Sequence, residues 1–415
     1  MASPRLANLS RRFWIFLAIL GPGIITSNVD NDAGGITTYS VAGATLGYQL
    51  LWAFIPITVA LIVIQEMCAR MGAVTGKGLA DLIRERFGVR ITFYAMVGLL
   101  LCNLGNTISE FAGVAASMEL FGVSKYISVP LGALAIWWLV LKNSYKVVER
   151  VFLAACLLYV SYVASGFLAK PSWSLVAKDL LVPSFQFERD YLIILVGVIG
   201  TTIAPWMQFY IQSAVVEKGI TDKDYAYTKM DVIVGSFMVN LVAIFIVVCC
   251  AATLFAHGIK IETAQEAALA LKPLAGPWAS WLFALGLLNA SLFSASILPL
   301  ATAYTTCEAF GIEAGIDKSW EEAPVFYWLY TLIIVIGAGV ILFPNIPLIL
   351  VMFWSQVVNG VLLPFVLIFM LLLINNRDIM GDHVNSHTYN WISWVTVVLL
   401  IVLTVLMIVF AFVPR

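Results

Sequence analysis

Two carboxylates stand close together in an otherwise apolar stretch of the chain. Asp30 and Asp32 follow the apolar run FWIFLAIL and stand just before a glycine pair, Gly34 and Gly35. At the centre of a bilayer a carboxylate costs about 2.5 to 3.5 kcal/mol, so intramembrane acids usually mark an ion or proton path. Carboxylate, amide and carbonyl oxygens are the ligands of hard cations. The stretch therefore predicts an oxygen-lined cation site, which on this reasoning could also take an alkali cation.

A regular helix cannot bring both carboxylates to one site, because residues two apart lie on different faces of a helix. The glycine pair makes local unwinding easy. Unwound backbone persists at membrane depth only where protein covers it or a wet cavity receives it. We therefore predict a break in the helix here, where Ser27, Asn28 and Asn31 add oxygen acceptors.

The composition is that of an integral membrane protein. Of the 415 residues 61% are hydrophobic and only 11% are charged, and the mean hydropathy is +0.96. These values lie far outside the range of soluble domains. About eleven apolar runs reach the length of roughly 20 residues that a spanning helix needs. The short alternating segments of a membrane barrel are missing. The predicted fold class is all-α integral membrane, with about 11 transmembrane helices.

The distribution of basic residues predicts the orientation. With the N-terminus placed inside, sixteen of the 23 Lys and Arg residues fall in inner segments and seven in outer ones. This bias predicts a multi-pass protein of the cell membrane with a cytoplasmic N-terminus, an outer C-terminus and an odd number of spans. No small-residue cleavage site follows the first apolar run, so we expect no signal peptide.

Soft metal ligands are scarce in the predicted spans. The six cysteines lie in or at the ends of apolar runs and form no CxxC pair, so they are predicted to be small buried hydrophobes. None of the three histidines falls within a predicted span. No catalytic or phosphate-cradling pattern occurs at a shared membrane depth, which argues against an enzyme.

A second predicted span is also interrupted. Residues 196–213 read VGVIGTTIAPWMQFYIQS, in which Gly200, Thr201, Thr202 and Pro205 break an apolar run. Proline removes a backbone donor and clashes with the preceding helical turn. Two unrelated kinks are the simple alternative, since kinks are common in membrane helices. Kinks, however, do not call for the two carboxylates of the first break.

The two breaks fall in the first and the sixth span, and each opens a block of five spans. An odd number of spans inverts the second block relative to the first. This pattern is typical of inverted-repeat secondary transporters, whose broken helices meet near the midplane and bind the substrate there. We predict a first repeat over residues 1–170, a second over 171–375, and a cytoplasmic loop with helix 11 over 376–415.

At this point the residues resemble the Nramp family of divalent metal transporters. The stretch GPGIITSNVDNDAGGITTYSVAGATLGYQLLW aligns with that family's GP...DPGN...AGA...GY.LLW pattern without a gap. The resemblance implies the LeuT-type fold, with helices 1 and 6 broken at the midplane. It places Asp32 on the metal-binding aspartate and Gly35 on an asparagine of the motif. It also gives Thr201 a carbonyl role and places Gln356 on a glutamine that can reach the metal.

The departures from the family pattern carry functional information. The span-six motif A-x-x-M-P-H is changed so that Ala204 replaces the methionine ligand and Trp206 replaces the histidine tied to proton coupling. In span three Glu110 is the one acid kept of two. Loss of the thioether removes the preference for transition metals, and loss of titratable groups removes the proton path. These changes resemble the Nramp-related magnesium transporters.

Other roles stay open for four of these residues. Asp30 is either a metal ligand or a solvated, backbone-bonded acid, and Glu110 is either a coupling residue or a buried protonated acid. Gln356 is either a metal contact or a hydrogen bond between helices, and Trp206 is expected to serve packing and gating, because an indole offers no acceptor.

The expected function is alternating-access import of Mg²⁺, with Mn²⁺ as a second ion, without proton coupling and with a partly hydrated ion at the site. The metal is then substrate and not cofactor, the partners are the ion and the lipid bilayer, without nucleic acid, and the protein is a monomer. The alternatives are a proton-coupled Mn²⁺/Fe²⁺ symporter, a sodium-coupled amino-acid transporter and a channel.

Overall fold

The structure is a computed structural model that describes residues 29–142, 160–221, 225–316 and 318–412. All regular elements in these ranges are helical. The longer helices are α1 (Ala33–Leu46), α2 (Phe54–Thr75), α3 (Leu79–Glu119), α4 (Lys125–Lys142), α5 (Val160–Leu168), α6 (Trp173–Leu181), α7 (Arg189–Thr202), α8 (Pro205–Glu217), α9 (Tyr225–Thr253), α10 (Ala279–Phe310), α11 (Pro324–Ile341), α12 (Leu348–Ile374) and α13 (His387–Phe412). Short helices in the connections include Ala264–Ala268, Lys272–Ala275 and Arg377–Met380.

Within the described residues, eight helical segments are long and apolar enough to cross a membrane, and α4 adds a shorter apolar helix. They match predicted spans two to four and six to eleven. The helices α1 and α5 lie at the ends of predicted spans one and five, whose other residues fall partly outside the described ranges, as do Ser27 and Asn28. The described helices therefore fit the predicted number of spans.

Both predicted breaks are present. Helix α7 ends at Thr202, Ala204 has an extended backbone (φ −69°, ψ 141°), and Pro205 is the first residue of α8. Proline suits this position because it has no N–H to leave unpaired and its φ is already helical. Asp32 is likewise extended (φ −68°, ψ −177°) and directly precedes α1 at Ala33.

Two glycines bring the second break against α12. A Cβ atom on Gly200 would overlap the backbone of Gln356 and Gly360, and one on Gly360 would lie 2.5 Å from the carbonyl oxygen of Val196. Small residues at a helix crossing allow backbones to approach closely in membranes. The α7–α12 crossing therefore fixes the position of Thr201 and Thr202, which directly follow Gly200.

Helix ends that were predicted to lie on the same side of the membrane contact each other. On the predicted inner side, Arg84 near the start of α3 donates to the carbonyl of Glu308 near the end of α10 at 3.1 Å. On the predicted outer side, Lys125 at the start of α4 donates to the carbonyl of Phe343 after α11 at 2.6 Å. These pairings agree with the predicted alternation of spans.

The cysteines of the described residues, Cys68, Cys102, Cys249, Cys250 and Cys307, are buried and free. This confirms their predicted role as small hydrophobes, and Cys156 lies outside the described residues. Two span boundaries are wrong: α13 begins at His387, and the apolar helical segment that begins at Tyr225 runs to His257, so both histidines lie at the ends of spans. Helix assignments commonly differ by a residue or two at their ends.

Candidate metal-binding site

Asp32 holds the start of α1. Its Oδ1 accepts a hydrogen bond from the Gly35 amide at 2.5 Å, and the residue is only 4% exposed. An aspartate at this position satisfies one of the amides that a helix N-terminus leaves unpaired, and its charge is favourable at the positive end of the helix dipole. The carboxylate therefore stands in the first break with one oxygen bound to the helix.

Glu110 approaches the same helix end from the middle of α3. Its Oε2 accepts from the Ala33 amide at 3.2 Å, while Oε1 has no partner in the described part of the chain. The carboxyl groups of Asp32 and Glu110 both accept from amides of the first turn of α1. Two buried carboxyl groups at one helix end need either a proton that neutralises one of them or a cation that balances both. The retained acid of span three thus belongs to the site.

Oxygens from both breaks surround Gly35. A Cβ atom on Gly35 would lie 3.2 Å from Oγ1 of Thr201, 3.3 Å from Oδ1 of Asp32 and 2.5 Å from the carbonyl oxygen of Asp30. The two broken spans therefore meet at this glycine. The Asp30 carbonyl lies where the Cβ atom of the family's asparagine would be, so Gly35 could not be replaced by asparagine without a shift of the main chain.

Asp30 is a second buried carboxylate at the first break. It is only 2% exposed, and neither of its carboxylate oxygens has a hydrogen-bond partner among the described residues. The hydroxyl of Thr201 is also buried without a partner there. Buried polar atoms without partners are rare and call for an unseen water or ion. Asp30 is thus placed to serve a cation directly or through water.

Gln356 lies at the edge of the site, and its side-chain nitrogen Nε2 faces Gly34. This nitrogen lies against Gly34, so a Cβ atom there would displace the Gln356 side chain, while Oε1 accepts from Nδ2 of Asn359 at 2.7 Å. Asn359 in turn forms a reciprocal amide pair with Asn106 of α3, both bonds measuring 3.0 Å. In this arrangement Gln356 offers a donor to the site, and its oxygen must turn before it can bind a cation.

Ala204 and Trp206 line the second break without reaching the carboxylates. Ala204 directly precedes α8, and its carbonyl accepts a hydrogen bond from the side-chain nitrogen Nε2 of Gln208 at 3.2 Å. Trp206 is buried, and its ring centroid lies 6.0 Å from that of Tyr210. Among the described residues, no hydrogen bond or ring contact joins either side chain to Asp30 or Asp32. Their roles as a vacated ligand position and a gate remain predictions.

Tyr39 is a site residue that the sequence analysis missed. It is fully buried on α1, and its hydroxyl lies 2.8 Å from Oγ1 of Thr202 in the second break. Asp30 and Thr201 are also near enough to interact with the phenol. Its spacing of seven residues from Asp32 places both on one face of a helix, and this was the available signal.

The donor set favours a hard cation. No group of three or more His, Cys, Asp or Glu side chains that could hold a metal occurs in the described ranges. The oxygens instead come from carboxylates, hydroxyls and main-chain carbonyls of two helix breaks, the setting in which inverted-repeat transporters bind their substrates. Fold and site together define a LeuT-type membrane carrier with an oxygen-lined site.

The family description "Natural resistance-associated macrophage protein-like" (Nramp) matches residues 23–410. A divalent metal cation transporter MntH of Deinococcus radiodurans is 30% identical over 395 residues, which cover 91% of this chain and 86% of the relative. The MntH protein of Bacillus subtilis is 28% identical, with 97% and 94% covered. This chain belongs to the Nramp family.

Solved structures agree on the fold. The Eremococcus coleocola manganese transporter, in complex with an aromatic bis-isothiourea compound, has a TM-score of 0.75 at 22% identity and covers 96% of this chain and 87% of its own. MhsT in complex with L-phenylalanine has a TM-score of 0.61 at 14% identity, with 93% and 98% covered. The LeuT-type fold is thereby confirmed. The MntH relatives are divalent metal cation transporters, which bears out the predictions that the protein is not an enzyme and that metal is cargo.

Proposed function

We propose that this protein is a secondary transporter that imports Mg²⁺, and Mn²⁺ as a second ion, by alternating access and without proton coupling. The curated relatives are divalent metal cation transporters, which supports a divalent cargo. We further propose that the protein is a monomer with two inverted five-helix repeats, with its N-terminus in the cytoplasm and its C-terminus outside.

The observation that carries the choice of ion is the ring of oxygens around Gly35, contributed by Asp30, Asp32 and Thr201. Mg²⁺ takes oxygen ligands and binds proteins through one or two carboxylates while keeping several waters. A thioether would favour softer transition ions. Ala204 offers none, so the described site has no feature that selects Mn²⁺ over Mg²⁺.

The unpartnered oxygens support a partly hydrated ion. Asp32 already gives one oxygen to the α1 cap, and the oxygen of Gln356 is turned to Asn359. Few groups are therefore free to contact the ion directly. Asp30 and Thr201 keep buried acceptor atoms that water molecules on the ion can fill.

The membrane potential supplies a driving force for import. Each elementary charge gains about 2.3 kcal/mol across 100 mV, so a divalent ion gains about 4.6 kcal/mol. Accumulation on the order of a thousandfold is then possible without protons. The family's histidine is replaced here by Trp206, which supports this uncoupled mode, because an indole has no nitrogen that accepts a proton at neutral pH.

A proton-coupled Mn²⁺ symporter is the second candidate. It is favoured by Glu110, which lies beside Asp32 and could take a proton when the ion leaves. A sodium-coupled amino-acid carrier is supported only by the fold shared with MhsT.

The test is uptake into proteoliposomes of Mg²⁺, Mn²⁺ and Ca²⁺ in turn, read beside an entrapped pH dye. We expect uptake of Mg²⁺ and Mn²⁺ with no pH change, and none with Asp32→Ala. Acidification that accompanies Mn²⁺ uptake would favour the symporter instead. Binding of an amino acid independent of metal would refute a metal carrier.

A further inference from the structure

The hydroxyl of Tyr39 lies where the two breaks meet and has no role in the function proposed above. The ring packs against Phe54 with its centroid 5.8 Å away, so α1 and α2 hold it in place. The hydroxyl lies 2.8 Å from Oγ1 of Thr202. A buried phenol usually needs a partner for its O–H, and here that partner stands in the second break.

The direction of this hydrogen bond can be assigned by counting protons. Thr202 has one hydroxyl proton, and it donates this proton to the carbonyl of Val198 at 2.8 Å. Oγ1 of Thr202 must therefore accept from Tyr39, because a hydroxyl has a single O–H. The phenol oxygen is then left as an acceptor, with its own proton already used.

Three other acceptor atoms of the site are buried. The two carboxylate oxygens of Asp30 and Oγ1 of Thr201 have no hydrogen-bond partner in the described part of the chain. Thr201 directly precedes Thr202, the partner of the phenol, and its Oγ1 and the main-chain oxygen of Asp30 both lie around Gly35. A water bound to a cation uses its oxygen on the metal and keeps two protons to donate, so an ion with its water shell needs acceptors at some distance around it.

We infer that Tyr39 is a specificity-determining residue, whose phenol oxygen accepts a hydrogen bond from a water that the transported cation retains, together with Asp30 and Thr201. The inference rests on the proposed function and refines it. The acceptors on Tyr39, Asp30 and Thr201 favour ions that keep their water. Binding of Mg²⁺, which dehydrates reluctantly, therefore depends on these acceptors more than binding of Mn²⁺ does. Thr202 is a positioning residue that keeps the phenol proton turned away from the ion.

The test is the KM for Mg²⁺ and for Mn²⁺ uptake in proteoliposomes of wild type and Tyr39→Phe. Phenylalanine keeps the ring and loses the hydroxyl, which removes both the acceptor and the hydrogen bond to Thr202. The net free energy of one hydrogen bond corresponds to a KM for Mg²⁺ that is about 2- to 12-fold higher in Tyr39→Phe than in wild type. The KM for Mn²⁺ should change less. Tyr330→Phe is the matched control, because Tyr330 is also fully buried and its hydroxyl has no partner in the described residues.

Thr202 provides an independent variant. Thr202→Val removes the acceptor of the phenol proton and should raise the KM for Mg²⁺ as Tyr39→Phe does, whereas Thr202→Ser should restore it. Equal changes for both ions, or no change in Tyr39→Phe, would overturn the role of Tyr39 while leaving Mg²⁺ transport standing. Absence of Mg²⁺ uptake by the wild type would overturn the proposed function and this inference together.

Discussion

The glycine pair at the first break offers a graded test of the site. A Cβ atom on Gly35 would lie 2.5 Å from the carbonyl oxygen of Asp30, which is main chain and cannot rotate aside. A Cβ atom on Gly34 would meet only the side chain of Gln356. Two adjacent alanine substitutions therefore place the same methyl group against a fixed oxygen and against a movable amide.

The expected magnitudes differ accordingly. Overpacking of a fixed site costs about 1 to 3 kcal/mol, so Gly35→Ala should weaken Mg²⁺ binding about 5- to 150-fold if the Asp30 carbonyl is displaced. Gly34→Ala should cost about 2- to 12-fold, because Gln356 loses its hydrogen bond to Asn359. Helix propensity favours alanine over glycine by about 1 kcal/mol of folding stability, so propensity should not lower the Tm of either variant.

The assay combines Mg²⁺ titration of the purified protein in detergent with uptake in proteoliposomes and a thermal unfolding curve. Gly286→Ala serves as the control, because a Cβ atom there meets nothing within 4 Å. It should leave binding unchanged and not lower the Tm. Wild-type Mg²⁺ affinity in Gly35→Ala, with the Tm preserved, would refute the close approach of the two breaks at this glycine.

Three further substitutions test separate parts of the account. Asp32→Asn should lower Mg²⁺ uptake at least about 100-fold with little change in Tm, because asparagine also caps a helix but carries no charge; this is read from uptake beside an unfolding curve. Ala204→Met should shift uptake toward Mn²⁺ when the two ions compete, because it adds a soft ligand. It is not combined with a substitution of Gly35, because a side chain at Gly35 would meet the Asp30 carbonyl oxygen. Gly200→Ala should destabilise the protein by about 1 to 3 kcal/mol, since its methyl would overlap the backbone of Gly360; denaturant or thermal unfolding measures this.

Each of these predictions has a result that contradicts it. Transport that survives in Asp32→Asn would remove the carboxylate from the centre of the mechanism. An unchanged Mg²⁺ preference in Ala204→Met would show that a thioether at this position does not govern selectivity. A Gly200→Ala protein as stable as wild type would mean that α7 and α12 do not cross as closely as described.

Much of the fold could be predicted from the sequence, because each signal is local. A run of about 20 apolar residues is enough to indicate a span, and Pro205 alone ends one helix and suits the first turn of the next. The resemblance to a family pattern then placed Asp32, Thr201 and Glu110, which the structure brings together. Their meeting depends on the paired broken helices, and the spacing of the two breaks had indicated that arrangement.

Contacts between distant spans could not be predicted from such patterns. Asn359 forms an amide pair with Asn106, which is 253 residues away in the sequence, and no local pattern indicates that pair. Tyr39 reaches Thr202 across 163 residues. Periodicity identifies the face of a helix but does not say which residue of another helix stands opposite. The close approach of the Asp30 carbonyl to Gly35 likewise depends on the geometry of the unwound turn.

The most direct measurement of the central claim is Mg²⁺ accumulation in proteoliposomes at an imposed inside-negative potential of about 100 mV, recorded with an entrapped pH dye. The account predicts that the potential drives Mg²⁺ inward, that the internal pH stays constant, and that Asp32→Asn shows neither binding nor flux. Mg²⁺ flux that persists when Asp32 is neutralised, or Mg²⁺ entry that always carries protons with it, would contradict the account.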